Sequence, residues 1–480
     1  MLKVPAPMRA PAPQHPPSAP RHAASPKSRA SAFSSGGGIM LILLGILFCS
    51  IFYQNLPPNF GLNDPNVIPA AVGAPDAPVP TLNESTSANV LYRVIKVSMI
   101  LVSLIVIGSR WALTSAVSKS MNSGFLVFMV LIPLSAAWSL DSGATINRFV
   151  SLASIVLVCF AISLAGWDRK RFQQLTIPPV MYILILSLIV GMANPTRIIE
   201  IGNDLSQKDA WHGITLTKNQ FGMMAAIGVI ICVNAWLSRE GRTLLALAGS
   251  VISFICLILS RSNTSLLSTM VAVVFMVAVM RVPIIKQRYS AHVATALVVM
   301  LLLYECAIQD LIPGAHTLLS PVMGMTGKDG SLSGRTIIWD LVKQNMRTAP
   351  FLGTGYGAYW LGPVPSSPSY IFVYTMYFYP SESHNGYLEI MNDMGYLGLI
   401  SLLFFLGVYV KQALELMRFD RAQAALYLGL LFHQLVMNMS ESEWFARDSV
   451  FTIFILGVTC MSRALYESRV SAGEAAPVAR

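Results

Sequence analysis

The sequence predicts an all-α polytopic membrane protein, and three observations carry that reading. The 480 residues are 54% hydrophobic and only 12% charged, with a mean hydropathy of +0.60, a balance that soluble domains of this length do not show. Apolar stretches approaching the roughly 20 residues needed to cross a bilayer core recur about twelve times. The basic residues alternate in density from one connecting segment to the next, as membrane topology requires.

Taken in order, the chain opens with residues 1–38, rich in Pro, Ala, Ser and Gly and lacking any helical or strand period, which are expected to form a flexible tail. A cleaved signal peptide is not expected, because the charged region is too long and no small-x-small site follows the first apolar run. Nine spans are expected within 39–308, near 39–55, 92–109, 123–139, 148–166, 177–193, 219–237, 243–260, 264–280 and 291–308. Three more are expected near 393–410, 422–438 and 448–463, and 464–480 form a terminal tail. The cysteines Cys49, Cys159, Cys232, Cys256, Cys306 and Cys460 all fall in or at the ends of spans and read as small apolar packing groups.

Lys3, Arg9, Arg21, Lys27 and Arg29 precede any acidic residue and hold the N-terminus in the cytoplasm. Threading twelve spans from there places 21 Lys/Arg and 6 Asp/Glu inside, against 12 Lys/Arg and 17 Asp/Glu outside, with both termini cytoplasmic. The net charge of +10 is therefore a topology signal. A nucleic-acid surface is a poor alternative, since the cations are dispersed over many short loops.

Two outer segments exceed a turn. Residues 56–90, rich in Pro and Asn, read as an irregular external loop. Residues 309–392, between the ninth and tenth spans, form the large loop. Within it Ile337, Ile338, Leu341, Val342 and Met346 recur at helical spacing, so 335–347 should be an amphipathic helix lying on the membrane. Pro350 ends it, and Gly353, Gly355 and Gly357 then permit a close backbone approach. A nucleotide-binding loop is not supported, for no strand precedes these glycines and no helix opens from them.

Charged side chains near span ends need a reason. For Arg93, Lys96 and Arg148 snorkelling to the interface supplies one. Arg261, in "LSRSNTSLL", sits in a tight outer turn whose hydroxyls and Asn263 offer partners, although turn chemistry alone also produces such a run. Arg335 stands at the expected start of the amphipathic helix, where a cation opposes the helix dipole unless an anion is supplied. Two arginines can hold a diphosphate, because the guanidinium fork matches phosphate oxygens. Lys218 and Asn219, in "WHGITLTKNQFG", could add to such a basic site.

Of the histidines, His212, His316 and His384 are expected outside. No pair has metal-ligand spacing, and a lone histidine is more often structural than catalytic. The residues after His384 set it apart. Asn385, Glu389, Asn392 and Asp393 form one polar helical stripe beside Tyr387, Leu388, Met391 and Met394, and that stripe should face a wet cavity in the bundle. An imidazole there can take a proton near neutral pH. Neither an acyl-transfer G-x-S-x-G elbow nor a D-x-D pattern is present, which argues against esterase chemistry and a nucleotide-sugar donor.

The ordered elements "WHGITLTKNQFG", "LSRSNTSLL", "SGRTIIW" with "PFLGTGYGAYW", and "SHNGYLEIMNDMGYLGL" resemble the O-antigen ligase and bacterial polysaccharide polymerase superfamily over roughly residues 210–460. The first element looks more like the branch that polymerises exopolysaccharides of the succinoglycan type. Ser262-Asn263-Thr264 depart from the glycine-aromatic pair that often follows the turn arginine in that family.

The resemblance implies an inner-membrane, GT-C-like, inverting and metal-independent glycosyltransferase. It would use a polyprenyl-diphosphate-linked oligosaccharide at the periplasmic face, with no cofactor. Arg261 and Arg335 would hold the diphosphate and His384 would activate or orient the acceptor hydroxyl. Lys218, Asn219, Asn385, Tyr387 and Glu389 would bind substrate. Membrane lipid, a chain-length regulator and a flippase are the implied partners, and nucleic acid is not one. A ligase moving finished glycan to lipid A core shares the donor site. A transporter or flippase fits twelve spans equally well, but such folds usually carry internal repeats, and none is visible.

Overall fold

The computed structural model describes residues 35–54, 86–166, 168, 170–199, 209–239, 243–309, 335–363, 365–376 and 379–475. Most of the expected N-terminal tail, most of the 56–90 loop and residues 310–334 of the large loop, including His316, lie outside the described residues.

Among the described residues the chain is helical, apart from one bridge between Ile199 and Trp211. The first half contains α1 (Ser35–Gln54), α2 (Thr86–Ser109), α3 (Trp111–Ser118), α4 (Ser123–Leu134), α5 (Ser142–Leu164), α6 (Arg171–Ala193) and α7 (Lys218–Ser238). The second contains α8 (Thr243–Leu259), α9 (Asn263–Arg281), α10 (Ser290–Ile308), α11 (Arg335–Met346), α12 (Ile371–Thr375), α13 (Gly386–Leu416), α14 (Arg421–Met437) and α15 (Ser449–Ser471). Side-chain caps start many of them. Asp141, Thr217, Ser262, Asn385, Asp420 and Asp448 each accept a first-turn N–H, satisfying donors that the helix leaves orphaned.

Each predicted span overlaps a helix. Among the described residues seven helices, α5, α6, α7, α9, α10, α13 and α15, are long and apolar enough to cross a membrane, and α2 with α3 makes an eighth if that pair, bent by 94°, is one span. Shorter apolar helices at Met40–Ser50, Ser123–Ala137 and Thr243–Leu259, together with α14, underlie the other four. The protein is thus a multi-pass helical membrane protein. Its most enclosed span is α15, with α7 and α14 beside it, whereas Leu101 and Ile105 of α2 and Leu244 and Phe254 of α8 expose apolar side chains outward, as lipid-facing helices do. Four of the cysteines, Cys159, Cys232, Cys256 and Cys460, are buried as free thiols.

The largest departure from expectation lies in α13. Hydropathy alone starts the tenth span at 393, but the helix starts at Gly386 and is broken at Gly395, whose φ of 61° and ψ of −156° are closed to side chains. The break is filled by the loop after α11. Tyr396 N–H donates to Pro350 O (2.8 Å) and Leu397 N–H to Phe351 O (3.2 Å), while the released Asn392 and Asp393 carbonyls accept from Thr354 N–H (2.9 Å) and Gly355 N–H (2.8 Å). Four groups that an unbroken helix would pair internally are exchanged, one for one, with the loop. A Cβ on Gly395 would lie 2.3 Å from the Phe351 carbonyl carbon, so glycine is required here.

This exchange corrects two expectations. The polar stripe does not line a wet cavity. Asn392 accepts from Asn345 (2.8 Å), Asp393 from Gly357 N–H (2.7 Å), and Glu389 from Trp360 Nε1 (2.7 Å), so α11 and the loop after it cover the stripe. Helix α11 buries Ile338, Trp339 and Val342 against Tyr359, Trp360, Phe372 and Leu388, so its apolar face packs on protein rather than on lipid. Arg148 is also more than a snorkelling cation, because its guanidinium donates to the carbonyls of Gly357 and of Trp360 (2.7 Å) and pins the loop from below.

Candidate functional site

The loop exchange fixes the segment that carries His384. Ser383 O accepts from Trp339 Nε1 of α11 (3.0 Å), Ser383 N–H donates to Glu389 Oε2 (2.9 Å), and the Ser383 hydroxyl meets Ser442 (3.1 Å). Gly386 N–H donates to Asn438 O at the end of α14 (2.8 Å). A Cβ on Gly386 would fall 1.8 Å from Asn438 Oδ1, so this approach also demands glycine. Between these anchors His384 takes a left-handed conformation, φ 51°, unusual for a residue with a side chain and sustained only where its surroundings over-determine it. His384 therefore stands just before the helix, and Asn385, counted in the polar stripe, is its cap.

The side chain that gathers the site is one that no sequence motif singles out. Glu441, on the connection between α14 and α15, accepts from Asn219 Nδ2 (2.7 Å) and Arg335 (2.9 Å) on Oε1, and its Oε2 faces His384 Nδ1 at 3.4 Å. Glu382 Oε1 lies 3.1 Å from the same Nδ1. The Glu441 side chain is only 8% exposed, against 19% for Arg335 and 28% for His384. The anion that Arg335 needs at the start of α11 is thus supplied by the protein.

Its connection is firmly held. Asn438 Oδ1 accepts from Glu443 N–H (3.0 Å) and Trp444 N–H (2.8 Å), and Tyr356 donates to Phe445 O (2.6 Å). In the sequence Glu441 counts only as an outer negative charge. The available signal is an acid three residues before Trp444 in a short loop between two spans, a place where a carboxylate becomes buried and must be paired.

These contacts set the charges. Burial pushes the His384 imidazole down, but its hydrogen bonds and attraction to Glu382 and Glu441 outweigh that and raise it to about 9. Burial pushes Glu441 up, yet the bond to His384 and the charge of Arg335 outweigh it and hold the carboxyl below its ordinary range. With Nδ1 occupied by carboxylates, Nε2 is the nitrogen left to meet a substrate. Donor atoms of Glu382, His384 and Glu441 lie within 4.8 Å of one another, a set that could hold a cation, but the Arg335 guanidinium already supplies positive charge to Glu441.

Other expected residues lie around this cluster. Lys218 opens α7 next to Asn219. Arg261 occupies the α8–α9 turn with φ 50°, beside a cavity of about 330 Å³ that Ser262 and Asn263 also line. That turn packs on Gly222, one helical turn beyond Asn219. Asn385 is wholly buried, its oxygen capping α13 through Tyr387 N–H and Leu388 N–H and its amide bonded to Glu305 (2.7 Å). Tyr387 is buried with its hydroxyl on Leu435 O (3.0 Å). Glu389 holds Trp360 and Ser383. These three have their polar atoms engaged inside the protein. His212 is likewise buried, its Nδ1 3.0 Å from Thr215 O.

The fold and site define a multi-pass membrane protein with a histidine, arginine and carboxylate cluster at one end of its helix bundle. Comparison with known proteins bears out the resemblance. A family model described as O-Antigen ligase matches residues 248–403, which contain Arg261, Arg335 and His384 but neither Asn219 nor Glu441. The chain is also similar to the exopolysaccharide production protein ExoQ of Rhizobium meliloti (strain 1021), 23% identical over 315 residues that cover 63% of this chain and 67% of that protein. Both findings support a membrane protein of the polysaccharide polymerase and ligase type.

Proposed function

We infer that the protein is an inner-membrane polysaccharide polymerase, joining polyprenyl-diphosphate-linked repeat units at the periplasmic face during exopolysaccharide synthesis. The observation that carries this reading is the convergence of Asn219, Arg335 and His384 on Glu441, together with the similarity to an exopolysaccharide production protein. Arg335 commits one nitrogen to Glu441 and keeps further N–H groups for phosphate oxygens. Arg261 serves as a second phosphate cation, and Lys218 adds positive charge at the start of α7.

In the reaction, the acceptor hydroxyl oxygen bonds to the donor's anomeric carbon as the bond from that carbon to the diphosphate oxygen breaks, with inversion. The hydroxyl proton passes to Nε2 of a neutral His384 whose Nδ1–H is held by Glu382 and Glu441, and polyprenyl diphosphate leaves against the arginines. No metal takes part in this scheme, so chain extension by the purified protein should be unchanged by chelators.

Deletion of the gene tests the reading: loss of high-mass polysaccharide with single repeat units accumulating on carrier lipid supports it. Long chains accumulating on the carrier would instead indicate a ligase, the reading that the O-Antigen ligase match favours. Purified protein that moves lipid-linked units across vesicles without lengthening them would establish transport.

A further inference from the structure

A second feature lies at the opposite end of the bundle. After its break α13 runs about 20 residues to Leu416, roughly 30 Å at 1.5 Å per residue, the thickness of a bilayer core. At that far end α10, α13 and α14 border an open cavity of about 900 Å³, walled by Gly407, Val410 and Leu414 and lined also by Lys411, Arg418 and Arg421. Two acids also border it. Glu415 is held by Arg469 through two bonds (2.7 and 2.8 Å), and Glu474 lies by the same guanidinium.

Ala291 is shared with an open, strongly apolar hollow of about 800 Å³ on the face of α10, running through Val299 and Met300 to Leu303. From residue 291 to 303 a helix rises about 18 Å, against roughly 15 Å for the hydrocarbon of one leaflet. The joined trough is therefore cationic at the membrane surface and apolar for the length of an acyl chain.

We propose that this trough is a binding site for an anionic glycerophospholipid, its phosphate held by Lys411, Arg418 and Arg421 and its acyl chain lying along α10. Basic pockets between membrane helices recognise such headgroups, and each nearby cation is worth about fivefold in affinity. The proposal needs only the membrane residence of the chain, and the trough is separate from the His384 cluster.

Native mass spectrometry of the full purified chain tests it, with phosphatidylglycerol, phosphatidylcholine of the same acyl chains, and inorganic phosphate as probes. Phosphatidylglycerol should be retained on the order of 100-fold over phosphatidylcholine. The combined variant Lys411→Gln, Arg418→Gln, Arg421→Gln should lose that preference by on the order of 100-fold while binding phosphatidylcholine as before. Should the triple variant fail to fold, each single substitution should still lose about fivefold. Equal retention of the two lipids by the unmodified protein, or an undiminished preference in the variants, overturns the proposal. So does displacement of phosphatidylglycerol by inorganic phosphate or by an equal concentration of a polyprenyl phosphate.

Discussion

Replacing Glu441 by Gln keeps the volume of the side chain that gathers the site and removes its charge. In the unmodified protein the two carboxylates raise His384 from 6.5 to about 9, so at pH 7 only about 1% of the imidazole is neutral and able to accept a proton. Shared between Glu382 and Glu441, the upward displacement corresponds to roughly 1 to 1.5 pH units per carboxylate, each unit being worth 1.36 kcal/mol. Glu441→Gln should therefore bring His384 to between about 7.5 and 8 and raise its neutral fraction at pH 7 about ten- to twentyfold. Against this, Arg335 and Asn219 lose a charged acceptor, about 1.5 to 3 kcal/mol of positioning and a factor of ten to a hundred in the limiting rate.

The two effects have different pH dependence, which separates them. Chain extension by the purified protein in proteoliposomes, measured from pH 6 to 10, should rise about tenfold per unit toward pH 9 in the unmodified protein. The variant should level off a unit or more earlier, showing a small deficit at pH 7 and a full one at pH 9.5. A variant profile parallel to the original, with the same deficit at every pH, would refute the argument that Glu441 sets the protonation of His384.

The same contacts lead to further outcomes. His384→Ala and Arg335→Ala should abolish polymer while leaving the protein inserted, as immunoblotting of membranes alongside polysaccharide analysis would show; full activity in either removes that residue from the mechanism. Because the folded-state pKa of His384 lies above its unfolded value, its stabilisation is complete below about pH 6.5 and is lost as pH rises through about 9. The melting temperature in detergent should fall over that window, and should fall less in His384→Gln. Gly386→Ala places a Cβ against Asn438 and should lose activity, whereas Gly108→Ala, which meets nothing within 4 Å, should be neutral in the same assay. Asn438→Ala leaves the buried N–H groups of Glu443 and Trp444 without their acceptor and should cost about 2 to 5 kcal/mol, read as a lowered melting temperature.

Legibility in the sequence depends on which forces are local. Spans are written in consecutive apolar residues, and caps such as Thr217 and Asp420 stand directly before the helices they start, so the helices can be located within a few residues. Arg335, His384 and Asn219 can be singled out because each is a polar group without an obvious local partner. Their partner cannot, because Glu441 lies 57 residues from His384 and 106 from Arg335 and meets them only after α14 folds back.

The break in α13 is hidden for a related reason. Met394-Gly395-Tyr396 has helical hydrophobicity throughout, and a glycine inside a span is ordinary. Only the loop from Pro350 to Gly355, arriving from another element, supplies the donors and acceptors that offset the cost of the break. The glycines of "PFLGTGYG" do allow the close backbone approach expected of them, yet the object they approach is the interrupted helix itself. That arrangement ties the end of α11, and with it Arg335, to the helix whose cap follows His384, through main-chain bonds as well as side-chain packing. The spacing of the two cationic groups about Glu441 therefore depends on a main-chain splice, so a side chain at Gly395, which would strike the Phe351 carbonyl, should disturb the cluster as one at Gly386 does.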